Sequence, residues 1–509
     1  MADNGGRPES VDESFEFINY PDDDVTGSPK YQEGRGQRSK PSSRNSEYGW
    51  LNDGESSRGP AVTAEMFQQM FDEDGRIVDE HSLRKAVFMG GVDVSVRREV
   101  WQFLFGLYPC TSTAREREEI LLDYIMKYHE QKTRWKTMLV LDSKPGATPL
   151  EQGLIGRYQM EDPSHQLQSP TTPPHGVMSP IELHVKNESA ARVSVDQPDF
   201  SILSKNFSNI DVTTPEMRQK IDFIKIQSQV FVNRQKVDVK NLWTHIRVID
   251  KDVPRTDRDQ EYFSGNCNPH LTVLRDILVT FAAFHPGIGY AQGMNDILAR
   301  FLVVFDSEVE AYWCFRNYLD RIQEEFTEEG MMKKINLVVM LLREMDPELL
   351  DHLNSNDLGD LMFCHRWLLL GFKREFSFVD SLRCFEILSS HHLELSSMEA
   401  ENARRKEVMK EFENFAYIFP GGGTRSEQLT VSLDYTFELF MCLALLMDCK
   451  PDLLTCVDSA MVFCTINGLK INLEETLTKA AKLFYQYCKK TVEESFLMID
   501  PPKIAASKR

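Results

Sequence analysis

One arginine and one glutamine carry the chemistry this sequence can offer. Arg255 closes the pattern Ile249-x-x-Asp252-x-x-Arg255 in the run VIDKDVPRTDR, and Gln292 follows Tyr290 by two positions in GIGYAQGMND. A guanidinium is a planar, permanently charged fork suited to the negative charge that develops on a transferring phosphoryl group. A carboxamide can accept from and donate to an attacking water at the same time. No phosphate cradle accompanies them. The glycine run Gly421-Gly422-Gly423-Thr424 lacks the lysine and following helix of a P-loop and reads as a flexible turn. Two such groups without a nucleotide pocket suit a protein that lends them to a partner holding the nucleotide.

The flanking residues fit that use. Asp252 stands three positions before Arg255, so on a helical turn its carboxylate can hold the guanidinium. Pro254 fixes one backbone dihedral immediately before the arginine. Gly289 and Gly293 bracket the glutamine and leave room for another backbone to approach. Tyr290 can brace the loop by packing and through its hydroxyl. A plainer alternative stands beside each role: Asp252 and Arg255 as a structural ion pair, and Gln292 as a polar residue at a helix start.

These residues need helices to position them. Val96, Val100, Trp101, Leu104 and Leu107 recur at three- and four-residue intervals, as one helix face demands. The stretch AREREEILLDYIMKYHEQKTRWKTMLV sets charged residues against Ile120, Leu121, Tyr124, Ile125 and Tyr128 and predicts a long amphipathic helix. Thr214-Pro215-Glu216 predicts a helix start, with threonine as cap and proline at the first position. Further stripes are Leu271, Leu274, Leu278 and Phe281; Leu337, Met340, Leu341 and Met345; and Leu473, Leu477, Ala480, Leu483 and Phe484. No window shows period-two alternation bounded by hairpin turns, so the expected fold class is all-α.

Composition marks the boundaries. Residues 1–75 are expected to form a disordered acidic and polar tail, most polar over the first sixty positions, where too little apolar surface is available to offset chain entropy. A folded region is expected over 80–495. Two insertions interrupt it, one Pro/Ser-rich and mobile at about 143–213 and one charged at about 390–430, and residues 496–509 form a short tail. The Ser-Pro and Thr-Pro steps of the first insertion are candidate phosphorylation sites.

The formal net charge of −20 argues against nucleic acid as a partner. The longest apolar run, Leu439 to Met447, is half a membrane span, and the start MADNGGRPES has no apolar segment of a secretory signal. The ten cysteines show no metal-ligand spacing. Cys442, Cys449, Cys456 and Cys464 read as buried reduced thiols. The glutamates Glu324, Glu325, Glu328 and Glu329 read as a solvated helix face, and His391 and His392 as surface residues. No metal site is expected.

Four stretches together resemble the TBC-domain proteins that activate Rab GTPases. They are IxxDxxR and YxQ as given above, GGVDVSVRREVW from Gly90 to Trp101, and CHRWLLLGFKREF from Cys364 to Phe376. The resemblance covers roughly residues 80–495. It implies some fifteen helices in two packed lobes and a regulator of vesicle traffic that activates an enzyme without being one. It implies that Arg255 acts as a finger and Gln292 orients the hydrolytic water, with Asp252, Tyr290, Ile249 and Gly293 in support. Arg97, Trp101, Trp367, Arg374 and Glu375 are then scaffold, Arg374 with Glu375 in a buried or half-buried polar network. The chain would need no cofactor of its own, since GTP and Mg²⁺ belong to the partner. It would work from the cytoplasm, transiently at endomembranes through that partner.

Within the family, IDKDVPRTDR and CHRWLLLGFKREF look most like the branch of the yeast vacuolar Rab activators and their animal relatives. That likeness suggests a late-endosomal or lysosomal Rab. The alternative is a non-catalytic helical adaptor that binds a GTP-loaded Rab. In the tail, Phe15 and Ile18 follow acidic residues at a spacing that suits an extended peptide adding to a sheet edge. This resembles short motifs that recruit ubiquitin-like autophagy proteins.

Overall fold

The structure is a computed structural model and describes residues 58–141, 198–207, 210–394, 396–397, 400, 435–469 and 471–497. Its described residues fall into two compact units. One lies within Glu118–Glu328, and the other combines the residues up to Arg117 with those from Glu329 onward.

The helices before the first insertion are α1 (Ala64–Gln68), α2 (Glu80–Gly90), α3 (Arg97–Leu104) and α4 (Ala114–Leu141). Then come α5 (Ser201–Asn206), α6 (Pro215–Arg234), α7 (Val239–Asp252), α8 (Pro269–Phe284), α9 (Met294–Phe305) and α10 (Glu308–Ile322). The chain continues through α11 (Glu328–Met345), α12 (Pro347–Ser355), α13 (His365–Leu369) and α14 (Phe378–Leu388). It ends with α15 (Phe437–Asp448), α16 (Lys450–Leu453), α17 (Ser459–Asn467) and α18 (Leu473–Leu497). Among the described residues the only β pairing is two isolated bridges, Val62 with Val92 and Phe71 with Ile77. The fold is all-α. The described residues form eighteen α-helices against the expected fifteen or so, because α1, α5, α13 and α16 are too short for a periodic stripe to show.

The unit within Glu118–Glu328 is built around α8, which packs against α7, α9 and α10. From Leu274 to Phe284 every residue of α8 is buried. Polar groups at this depth are paired. Trp135 Nε1 donates to Thr280 Oγ1 at 2.9 Å, and Lys132 and Lys136 of α4 both lie 3.0 Å from Asp276 Oδ2. Next to Asp276, Arg275 donates from Nε to Asp250 Oδ1 of α7 at 2.5 Å and from Nη2 to Oδ2 at 3.3 Å.

Helix α7 carries the arginine motif and begins where the sequence can cap it. Asp238 Oδ1 accepts from the amides of Lys240 and Asn241 at 3.0 and 3.2 Å. Leu242, Ile246 and Ile249, spaced four and three apart, then turn one face into the core. Removing the cap with Asp238→Ala is expected to cost about 1 kcal/mol of stability. A urea midpoint equal to that of the native chain would refute this.

In the other unit, α15 is the buried centre, packed against α18 and α13. The apolar run Leu439–Met447 is this core helix, and no described helix is long and apolar enough to cross a membrane. The α3 and α18 stripes are buried as the spacing predicts.

Several expectations need correction. Residues 58–75, assigned to the tail, are folded: Thr63 caps α1, and Phe67 is buried with its ring edge-on to Phe71 at 4.9 Å. The first insertion is not featureless up to residue 213, because α5 buries Ile202 and Leu203. Helix α11 buries Met331, Ile335, Val338, Leu341 and Leu342, so the expected stripe is rotated and Met340 is 48% exposed. With apolar residues almost all round α11, the 3.6-residue period alone could not choose the face. His392 is buried, its ring 5.3 Å from that of Phe88. Cys464 is exposed, while Cys442, Cys449 and Cys456 are buried and free. The glycine run at 421–423, the Ser-Pro steps and Phe15 with Ile18 lie outside the described residues.

Candidate functional site

Helix α7 ends at Asp252, and a single 3₁₀ turn, Val253–Arg255, follows it directly. That turn decides what Arg255 does. Ile249 and Val253 are buried and pin the turn to the core, while the Arg255 side chain remains 56% exposed. Its Nη2 donates to Asp252 Oδ1 at 2.8 Å, and the Asp252 side chain is only 4% exposed. The guanidinium is therefore braced from beneath by a buried carboxylate and open above.

The second oxygen of the same carboxylate reaches the glutamine loop. Tyr290 donates its hydroxyl to Asp252 Oδ2 at 2.7 Å. Tyr290 is buried; burial first, and the Asp252 carboxylate beside it second, push its phenol well above the ordinary range. The hydroxyl consequently remains a donor. Asp252 thus links the two motifs, holding Arg255 with one oxygen and Tyr290 with the other. Gln292 follows on the same loop, half-buried, and its amide makes no hydrogen bond among the described residues. Both groups suited to phosphoryl chemistry are presented by side chains that have no further structural duty.

Sequence reasoning missed three supporting residues. Asn295 is buried in the first turn of α9, accepts from the Gly293 amide at 3.2 Å and donates from Nδ2 to Thr256 Oγ1 at 2.9 Å. Thr256 donates in turn to the Asp252 carbonyl at 3.0 Å. These two residues tie the end of the arginine turn to the start of α9. Gly293 serves as the N-cap of α9 at φ 100°, a left-handed conformation that explains glycine there. The third is His245 of α7, whose Nδ1 accepts from the Tyr290 amide at 3.2 Å. The signal for Asn295 and Thr256 was their place inside the two motifs. His245 gave none, because its contact with the loop is made only by folding.

Tyr290→Phe would leave Asp252 Oδ2 buried without its donor. The expected result is a stability loss of about 1–3 kcal/mol. Chemical denaturation measures it, and an unchanged midpoint would mean that the phenol does not carry this bond.

The other motif residues lie in the second unit. Glu386 of α14, fully buried, accepts from Arg97 Nε at 2.9 Å, from Trp101 Nε1 at 2.8 Å and from the Val92 amide at 2.7 Å. Burial pushes the Glu386 carboxyl above its ordinary range even with Arg97 beside it. Trp367 is fully buried in α13. Glu375 accepts from Arg366, at 3.0 Å from Nε and 2.8 Å from Nη2, while Arg374 is exposed. Arg366, one short helix earlier, is thus a polar partner of Glu375.

An all-helical unit thus presents a braced, exposed arginine whose carboxylate partner also holds the tyrosine of the glutamine loop. Residues 200–398 match the Rab-GTPase-TBC domain. All residues of the arginine and glutamine motifs lie inside the match. The human protein TBC1 domain family member 17 is 29% identical over 333 residues, 65% of this chain and 37% of that protein. The GTPase-activating protein GYP7 of Yarrowia lipolytica is 26% identical over 440 residues, 85% of this chain and 44% of that one. The chain thus spans less than half the length of these curated relatives. Among solved structures, the Ypt/Rab-GAP domain of Gyp1p aligns at a TM-score of 0.49 and 14% identity, over 83% of this chain and 98% of that one.

Proposed function

We propose that this chain is a GTPase-activating protein for a Rab-family small GTPase, supplying Arg255 and Gln292 in trans. The observation that carries the reading is the shared carboxylate. Asp252 holds the exposed Arg255 through one oxygen and, through the other, the tyrosine two residues before Gln292. Arg255 enters the partner's site and neutralises charge on the β–γ bridging and γ-phosphate oxygens. Gln292 orients the hydrolytic water, accepting a hydrogen bond from it at Oε1 and fixing its direction. GTP and Mg²⁺ are the partner's, and the chain contributes charge and orientation only. In this reading the site acts in vesicle-mediated transport, transiently at endomembranes, and the motif likeness suggests a late-endosomal or lysosomal Rab as its partner.

The test is phosphate release from a panel of GTP-loaded Rabs, with the native chain beside Arg255→Ala and Gln292→Ala. Stimulation of one or a few Rabs, lost in both variants, supports the reading and names the substrate. Rab binding without stimulation anywhere on the panel would replace it with a non-catalytic adaptor.

A further inference from the structure

Tyr290 is held at both ends by one helix. Its hydroxyl reaches Asp252 at the end of α7, and its backbone amide donates to Nδ1 of His245, two turns earlier on that helix, at 3.2 Å. The loop also rests directly on the imidazole. Gly289 has φ +63°, and a Cβ there would lie 2.3 Å from Cε1 and 2.4 Å from Nε2 of His245. No residue with a side chain fits without moving the ring. Accepting at Nδ1 requires a neutral ring protonated on Nε2, and burial keeps the ring neutral by lowering its proton affinity. Nε2 is buried without a hydrogen-bond partner among the described residues. A buried donor left unpaired is costly, so the contact made by the opposite nitrogen is what accounts for an imidazole at this place.

We propose that His245 is a positioning residue: by gripping the Tyr290 amide beneath Gly289, it sets the direction in which Gln292 presents its carboxamide. This rests on the reading of Gln292 as the water-orienting group. Through His245 and Asp252, α7 fixes the loop at two points and ends in the turn that carries Arg255. The relative placement of the two catalytic residues is therefore set by one rigid element.

The test uses the full chain and three kinds of variant. His245→Phe keeps the ring and removes the acceptor, whereas His245→Asn keeps an acceptor close to the Nδ1 position. Each is also made in the Gln292→Ala background, with thermal melts to establish that the variants fold. Single-turnover phosphate release from the stimulated Rab is expected to fall about 10- to 100-fold in His245→Phe. The Rab concentration giving half-maximal rate should stay unchanged, and His245→Asn should recover most of the rate. In the Gln292→Ala background His245→Phe should cost nothing more, because its effect passes through the glutamine. A native rate in His245→Phe, or the same loss with and without Gln292, overturns the proposal.

Amide hydrogen exchange at Tyr290 gives a readout independent of catalysis. Protection in the native chain that is lost in His245→Phe supports the grip, and equal exchange in both overturns it. If the native chain stimulates no Rab, the functional reading fails, while the exchange result still decides whether His245 holds the loop.

Discussion

Arg255→Ala is expected to abolish stimulated GTP hydrolysis while leaving binding of the GTP-loaded Rab largely intact. An arginine supplied in trans to a phosphoryl-transfer site is worth on the order of 10³–10⁵ in rate, roughly 4–7 kcal/mol of barrier. The structure gives no reason for the protein itself to collapse. The Arg255 side chain is 56% exposed, and a half-exposed ion pair contributes at most about 1 kcal/mol. Arg255→Lys should recover little, since an ammonium keeps the charge but not the planar fork. Stopped-flow phosphate release under single-turnover conditions checks this. An alanine variant within tenfold of the native rate would remove Arg255 from the mechanism.

Asp276→Ala should give the largest loss of stability. Asp276 of α8 is buried, with Lys132 and Lys136 each 3.0 Å from Oδ2, and both lysines are buried too. Burial alone would raise the Asp276 carboxyl, yet Lys132 and Lys136 hold it well below the usual carboxylate range. Removing it takes from two buried lysines a carboxylate that each holds at 3.0 Å, while Lys132 keeps Glu308 at 2.5 Å. Breaking a buried pair in this way costs about 3–5 kcal/mol. The loss extends to function, because the adjacent Arg275 holds Asp250 of α7, the helix that carries the arginine turn.

The linkage has a definite sign. Folding lowers the Asp276 pKa, so its stabilisation is fully present above the unfolded value near ~4 and is lost as pH falls below it. Denaturation midpoints taken from pH 7 down to pH 3 should show this acid-side decline in the native chain and a shallower one in Asp276→Ala. Equal midpoints for the two proteins at pH 7 would contradict the account.

The parts of this protein that rest on short-range chemistry were legible before folding. Thr214 and Pro215 start α6 as their types predict, because capping satisfies amides only three residues away. Asp252 meets Arg255 because positions three apart on a helical turn are neighbours. Helix α11 was misread because a helix with apolar residues almost all round leaves the choice of buried face to its neighbours. His392 and Glu386 were opaque for a related reason. A histidine in a polar stretch such as SSHHLE, or a glutamate in an apolar one, looks the same whether it meets solvent or, as Glu386 does, three donors in the core.

The sequence by itself determined the all-helical class, the caps, most of the buried stripes, and the two residues whose chemistry suits phosphoryl transfer. Each of these follows from residue type and spacing within a few turns of chain. Only the tertiary structure decided that a single carboxylate, Asp252, serves both motifs, that His245 and Asn295 fix the glutamine loop, and that Arg255 is braced from below and open above. Those contacts join residues far apart in sequence, and no local pattern encodes which of many possible partners a buried oxygen or ring nitrogen will meet once the helices have packed.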